Sequence, residues 1–86
     1  MRNLIIYISP QVEEKLLHKH GIGLDELKDA LKNGNPKILK LEGKIYMATT
    51  HYLRYVTIIF EYSRPTANII TAYTSSKSQI RRYKRK

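Results

Sequence analysis

Cysteine is absent from the chain, so neither a disulfide nor a thiolate metal site can hold it together or do its chemistry. That absence fits a reducing compartment. Long hydrophobic runs are missing too. The longest near the start, Leu4 to Ile8, is too short for a membrane span or for the apolar core of a signal peptide, and a cytoplasmic location is expected. Acidic residues nearly vanish from the second half, where Glu61 stands alone. There are no paired carboxylates there, no Walker-type loop and no G-x-S-x-G, so hydrolysis by two carboxylates or by carboxylate-bound Mg²⁺ is not expected. Internal repeats and low-complexity segments are likewise missing, and no cofactor is implied.

What is there is positive charge, unevenly placed. Residues 1–43 carry seven Lys/Arg against six Asp/Glu, while residues 44–86 carry nine against one. The net charge of +9 therefore belongs almost wholly to the second half. Such a half is built to meet an anion, and nucleic acid is the commonest candidate; an acidic protein partner satisfies the charge as well. Eighty-six residues make one domain, residues 1–86. A chain of this size buries only roughly 60–65% of its unfolded surface, so a stabilising partner is reasonable to expect.

RNLIIYIS reads as a first strand, ended by Pro10. Val12, Leu16 and Leu17 then mark an amphipathic helix to about His20, with Ser9 as N-cap, Pro10 in the first turn and Gly21 as stop. Leu24, Leu27, Ala30 and Leu31 form the stripe of a second helix, ended by Asn33-Gly34-Asn35-Pro36. From Lys37 to Thr74 the pattern is β-like: a hairpin turning at Glu42-Gly43, the run YLRYVTIIFEY, a turn at residues 63–66 and ANIITAYT. The density of VTIIF and NIITA makes these two the central strands. The last ten residues hold six positive charges and no negative one. Ser76 and Gln79 have capping-box spacing, and Ile80 and Tyr83 share one face, so a helix is expected from Ser76 to Tyr83 with residues 84–86 a loose basic tail. The order β-α-α-β-β-β-β-α predicts an α+β fold, a mostly antiparallel sheet with helices packed on one face.

Three stretches in order carry a resemblance: KHGIGLDELKDAL, RYVTIIFEY, and Ile69-Ile70-Thr71-Ala72 followed by Tyr83. Over roughly residues 15–83 the chain resembles the BrnT-type toxins, small ribonucleases of the wider RelE/ParE-like toxin group encoded beside an antitoxin. The resemblance implies a type II toxin that cleaves mRNA, inhibits growth, and is neutralised by a cognate antitoxin through an acidic segment. Two positions depart from the family pattern. Tyr73 stands where an arginine usually follows the Ser/Thr-Ala pair, and Gln79-Ile80 stands where Glu-Arg is usual.

Metal-free RNA cleavage needs a group to take the 2′-hydroxyl proton, a cation for the pentavalent phosphate, and a donor for the leaving 5′-oxygen. His51, Arg54, Tyr73 and Arg81 are the candidates for these roles. Tyr55 supplies a ring for base stacking, and Lys77, Arg82, Lys84 and Arg85 supply phosphate contacts. A bend or bulge near the start of its strand is needed for Arg54 to face the same way as Tyr55. His18 and His20 read as dipole-complementing residues at a helix C-terminus, and with His51 they lack the spacing of a zinc site. Tyr83 reads as the docking anchor of the last helix. The rival readings are a nucleic-acid-binding module without catalysis, and an interaction domain for an acidic protein.

Overall fold

The computed structural model of the chain describes residues 4–85. Its elements are β1 (Ile5–Tyr7), α1 (Pro10–His20), α2 (Leu24–Lys32), β2 (Lys37–Glu42), β3 (Ile45–His51), β4 (Tyr55–Ser63), β5 (Thr66–Thr74) and α3 (Lys77–Lys84). This is the expected α+β order. Residues 1–3, the start of the expected first strand, lie outside the described residues, as does Lys86.

Local chemistry sets the helix ends. Ser9 Oγ accepts the Val12 N–H at 3.3 Å, which satisfies one free donor of the first turn of α1. Gly21 closes that helix with a φ of 64°, a left-handed conformation in which a side chain is strained. Its N–H bonds to Leu17 O at 3.1 Å, and Ile22 N–H reaches back to Leu16 O at 3.2 Å. The chain thus reverses within three residues into α2, and buried Ile22 plugs the corner.

The strands form one sheet in the order β1-β5-β4-β3-β2, antiparallel except for β1, which runs parallel to β5. Alternation gives it two different faces. Val56, Ile58 and Phe60 of β4, Ala48 of β3, and Ala67, Ile69 and Ala72 of β5 join Leu16, Ile22, Leu27 and Leu31 in the core. Truncating any of those fully buried leucines to alanine costs roughly 2–5 kcal/mol. Ile70 sits at the irregularity where Ile59 pairs with Thr71 but Phe60 with Ile69, which keeps Ile69 and Ala72 both facing α1 and α2.

The structure departs from the sequence reading in three places. The β2-β3 turn is at Gly43 and Lys44 rather than Glu42 and Gly43, because Gly43 takes the positive φ of 53° and the register shifts between Lys40 and Glu42. Lys84 is the last residue of α3 rather than part of a loose tail, and Arg85 caps the helix with N–H bonds to Arg81 and Arg82. The single helical layer holds only for α1 and α2. Thr50, facing them, donates to Ala30 O at 2.8 Å, whereas α3 contacts Met47, Thr57 and Tyr73, which alternation puts on the opposite face. The reason is visible in the pleat: that second face carries Thr49, Thr57 and Tyr73, which suit a polar helix rather than an oily one.

Candidate nucleic-acid interface

Gln79 is the hinge between α3 and the sheet. Its Oε1 accepts from Ser76 N–H at 2.9 Å and from Thr57 Oγ1 at 3.3 Å, and its Nε2 donates to Tyr73 Oη at 3.1 Å. Ser76 Oγ accepts the Gln79 N–H at 3.2 Å, completing a capping box worth on the order of 1 kcal/mol. Thr57 is fully buried and also bonds Ser75 Oγ at 2.8 Å. Thr57, Tyr73, Ser75, Ser76 and Gln79 are thus paired under the helix start, which helps to dock a helix without a single buried residue.

The C-terminal half is held by different means. Tyr83 Oη donates to Asn35 O at 2.8 Å, and its ring meets Tyr55 edge-on at 5.7 Å. Lys37, at the start of β2, donates to Arg85 O at 2.9 Å and to Tyr83 O, and lies 5.2 Å from the Tyr83 ring centre. A lysine at the C-terminal carbonyls complements the helix dipole. Tyr83 is therefore the anchor expected of it, and Ile80 beside it is half-buried.

Docked in this way, α3 shows its cations to solvent. Lys77, Arg81 and Lys84 line one shallow depression with Ile80, and Arg81, Arg82 and Arg85 line a second with Ser78. Lys84 Nζ lies 5.7 Å from the centre of the Tyr55 ring, and Tyr55 in turn stacks on His51 at 4.3 Å with the rings tilted by 33°. His51 is the last residue of β3, paired with Tyr55 across the strand, and it is exposed. The structure thus assembles Lys77, Arg81, Lys84, Tyr55 and His51 into one continuous surface. Arg82 also borders, on the other flank, a cleft of about 200 Å³ shared with Lys37, Leu39, Met47 and Gln79.

Two candidates lie apart from that surface. No bend turns Arg54 toward Tyr55; its Nε and a terminal nitrogen bond both oxygens of Glu26 at 2.8 and 3.0 Å, and the same terminal nitrogen donates to Gly21 O at 2.8 Å. The hydrogen bond to Glu26 raises the Arg54 pKa above the usual guanidinium value; burial opposes it, and the negative charge of Glu26 adds a lesser rise. Arg54 therefore ties the β3-β4 connection to the α1-α2 corner. Tyr73 is half-buried beneath α3 and occupied by Gln79. His18, 4.0 Å from Glu14 on exposed α1, is not gathered with His51. Among the described residues no His, Cys, Asp or Glu cluster is placed to hold a metal ion, and no helix is long and apolar enough to cross a membrane.

Two residues central to this arrangement are not apparent as site residues in the sequence. Lys37 reads there only as the start of a strand, and Gln79 as half of a capping box and a departure from the family's glutamate; the 46 positions that separate Lys37 from Tyr83 hide their pairing.

No protein-family model matches the chain, and no curated protein matches it in sequence. Among solved structures, the crystal structure of the Brucella abortus ribonuclease toxin BrnT is similar with a TM-score of 0.69 at 16% sequence identity, covering 86% of this chain and 99% of that one. At that identity the likeness is one of fold, and the fold of this chain is that of BrnT.

Proposed function

We propose that the chain is the toxin of a toxin–antitoxin pair, an endoribonuclease that cleaves mRNA without a metal and arrests growth. One observation carries the reading: on a fold shared with a ribonuclease toxin, a basic helix runs across the second face of the sheet to a half-buried Tyr55 stacked on an exposed His51. Lys77, Lys84, Arg82 and Arg85 hold the RNA backbone, and Tyr55 stacks on a base. Arg81 neutralises the charge that builds on the phosphate. His51 takes the 2′-hydroxyl proton; the 2′-oxygen attacks phosphorus, and the 5′-oxygen leaves with a proton from solvent. The products are a 2′,3′-cyclic phosphate and a free 5′-hydroxyl. Tyr73 acts through Gln79 as a positioning residue for α3, and Arg54 serves the fold. Free in the cell, the basic half meets RNA; an antitoxin's acidic segment competes for it.

The sharpest test is induced expression in bacteria of the wild type beside Arg81→Ala/Arg82→Ala, following growth and mRNA integrity. Arrest with fragmented mRNA in the wild type alone supports the reading. Normal growth and intact mRNA in both sinks it. The second reading, a nucleic-acid binder that does not cleave, draws on the engagement of Arg54 by Glu26 and of Tyr73 by Gln79, which removes two proposed catalysts from the open surface.

A further inference from the structure

The sheet has two edges, and they are unequal. Among the described residues β1 offers three, whereas β2 offers six, all of them exposed. Three of those six are apolar: Ile38, Leu39 and Leu41 are 42%, 48% and 48% exposed. An edge strand of this length whose outer N–H and C=O groups no neighbouring strand pairs among the described residues is a template for another strand. Each face of β2 also borders a cleft. On the α1/α2 side, Ile38 joins Tyr46, Phe60 and Tyr62 around about 190 Å³, with a floor of stacked and edge-on rings. On the α3 side, Lys37, Leu39, Met47 and Arg82 border the cleft of about 200 Å³. Side chains of a strand laid beside β2 alternate between these two clefts.

The charges decide what that strand is. Lys40 lies on β2 itself, Arg82 overlooks one cleft, and the Lys37 ammonium stands at the C-terminal carbonyls of α3, with Glu42 the only acid on the strand. A second copy of this +9 chain brings the same lysines against their like. An extended segment bearing acidic side chains meets them favourably, while its apolar side chains cover Ile38 and Leu39. We propose that β2 is the docking edge for an extended acidic peptide segment of a partner protein, which adds to the sheet as a sixth strand. The proposal rests on the toxin reading for the identity of that partner, the antitoxin, but not for the surface. It places the neutralising segment beside the basic helix, against Arg82, rather than along the His51–Tyr55 end.

The test uses a short capped peptide alternating glutamate with valine, titrated into the isotope-labelled chain and followed by backbone NMR. The amides of Ile38, Leu39, Lys40 and Leu41 are expected to shift and to exchange more slowly. Methylating one alternate set of peptide amides should weaken binding about tenfold or more, because those amides bond to the edge, while methylating the other set should leave it nearly unchanged. Ile38→Lys/Leu39→Lys, which adds charge at exposed sites, should lose binding all the same. Shifts confined to residues 77–85, equal binding of both methylated peptides, or tighter binding by the double lysine variant overturns the proposal. RNA cleavage by the same unliganded sample is scored separately: its absence overturns the ribonuclease reading and leaves a β2 result standing.

Discussion

Gly34 shows how much one residue can fix. A methyl group at its Cα would meet Thr50 Oγ1 on one side and Ala30 O at 2.6 Å on the other, with His51 O at 3.0 Å. The turn after α2 is thus pressed directly onto the end of β3 that carries His51. Gly34→Ala is expected to cost roughly 1–3 kcal/mol, seen as a lower denaturant midpoint, because two of the three neighbours are backbone atoms that cannot swing away. Arg54 belongs to the same scale. Its bidentate bond to Glu26 is half in solvent and worth about 1 kcal/mol at most. Arg54→Met should therefore lower stability by no more than about that amount and leave the RNA cleavage rate within about twofold of wild type. A large loss of cleavage with an unchanged melting curve would return Arg54 to the chemistry. His51→Ala has the opposite signature: cleavage falls about a hundredfold or more while RNA affinity stays close to wild type.

At the scale of elements, α3 is the part that stability and function share. Gln79→Leu removes the acceptor for Ser76 N–H and Thr57 Oγ1 and the donor to Tyr73 Oη, leaving buried Thr57 its bond to Ser75, at a cost of roughly 1–2 kcal/mol. Amide exchange should accelerate in residues 77–84 before it does in β4; uniform acceleration across the sheet would show that α3 does not open separately. Much of this element is legible in the chain itself, since Ser76, Gln79, Ile80 and Tyr83 name the cap and the docking face. The ends of α1 and the extent of α2 are legible for the same reason, local side-chain chemistry at Ser9, Pro10, Gly21 and Asn33. The face on which α3 lies is not, because it depends on where Met47, Thr57 and Tyr73 come to rest after three strands have paired. The turn at Gly43 is misread by one residue because the register shift at Lys40 to Glu42 leaves no mark in the residue types. The site divides in the same way. His51, Tyr55, Lys77, Arg81 and Lys84 lie along one stretch of surface, while Arg54 is captured by Glu26, 28 positions away, a partner that no local pattern announces.

The whole molecule is a charge arrangement as much as a fold. Nearly all of its net +9 sits on residues 44–86, and the exposed part of it is concentrated on α3. If RNA is held there, binding weakens steeply with salt. Lys77→Gln/Arg81→Gln/Arg82→Gln should flatten the slope of log affinity against log salt by about 2, the share of three phosphate contacts on a single strand. An unchanged slope would move the RNA elsewhere. The most direct test of the central claim is incubation of the purified chain with RNA in excess chelator, with the fragment ends analysed. Cleavage to 2′,3′-cyclic phosphate ends by the wild type, slowed about a hundredfold or more in Arg81→Ala/Arg82→Ala, is the predicted result. Intact RNA after incubation with the folded wild type, bound but uncut, would contradict it.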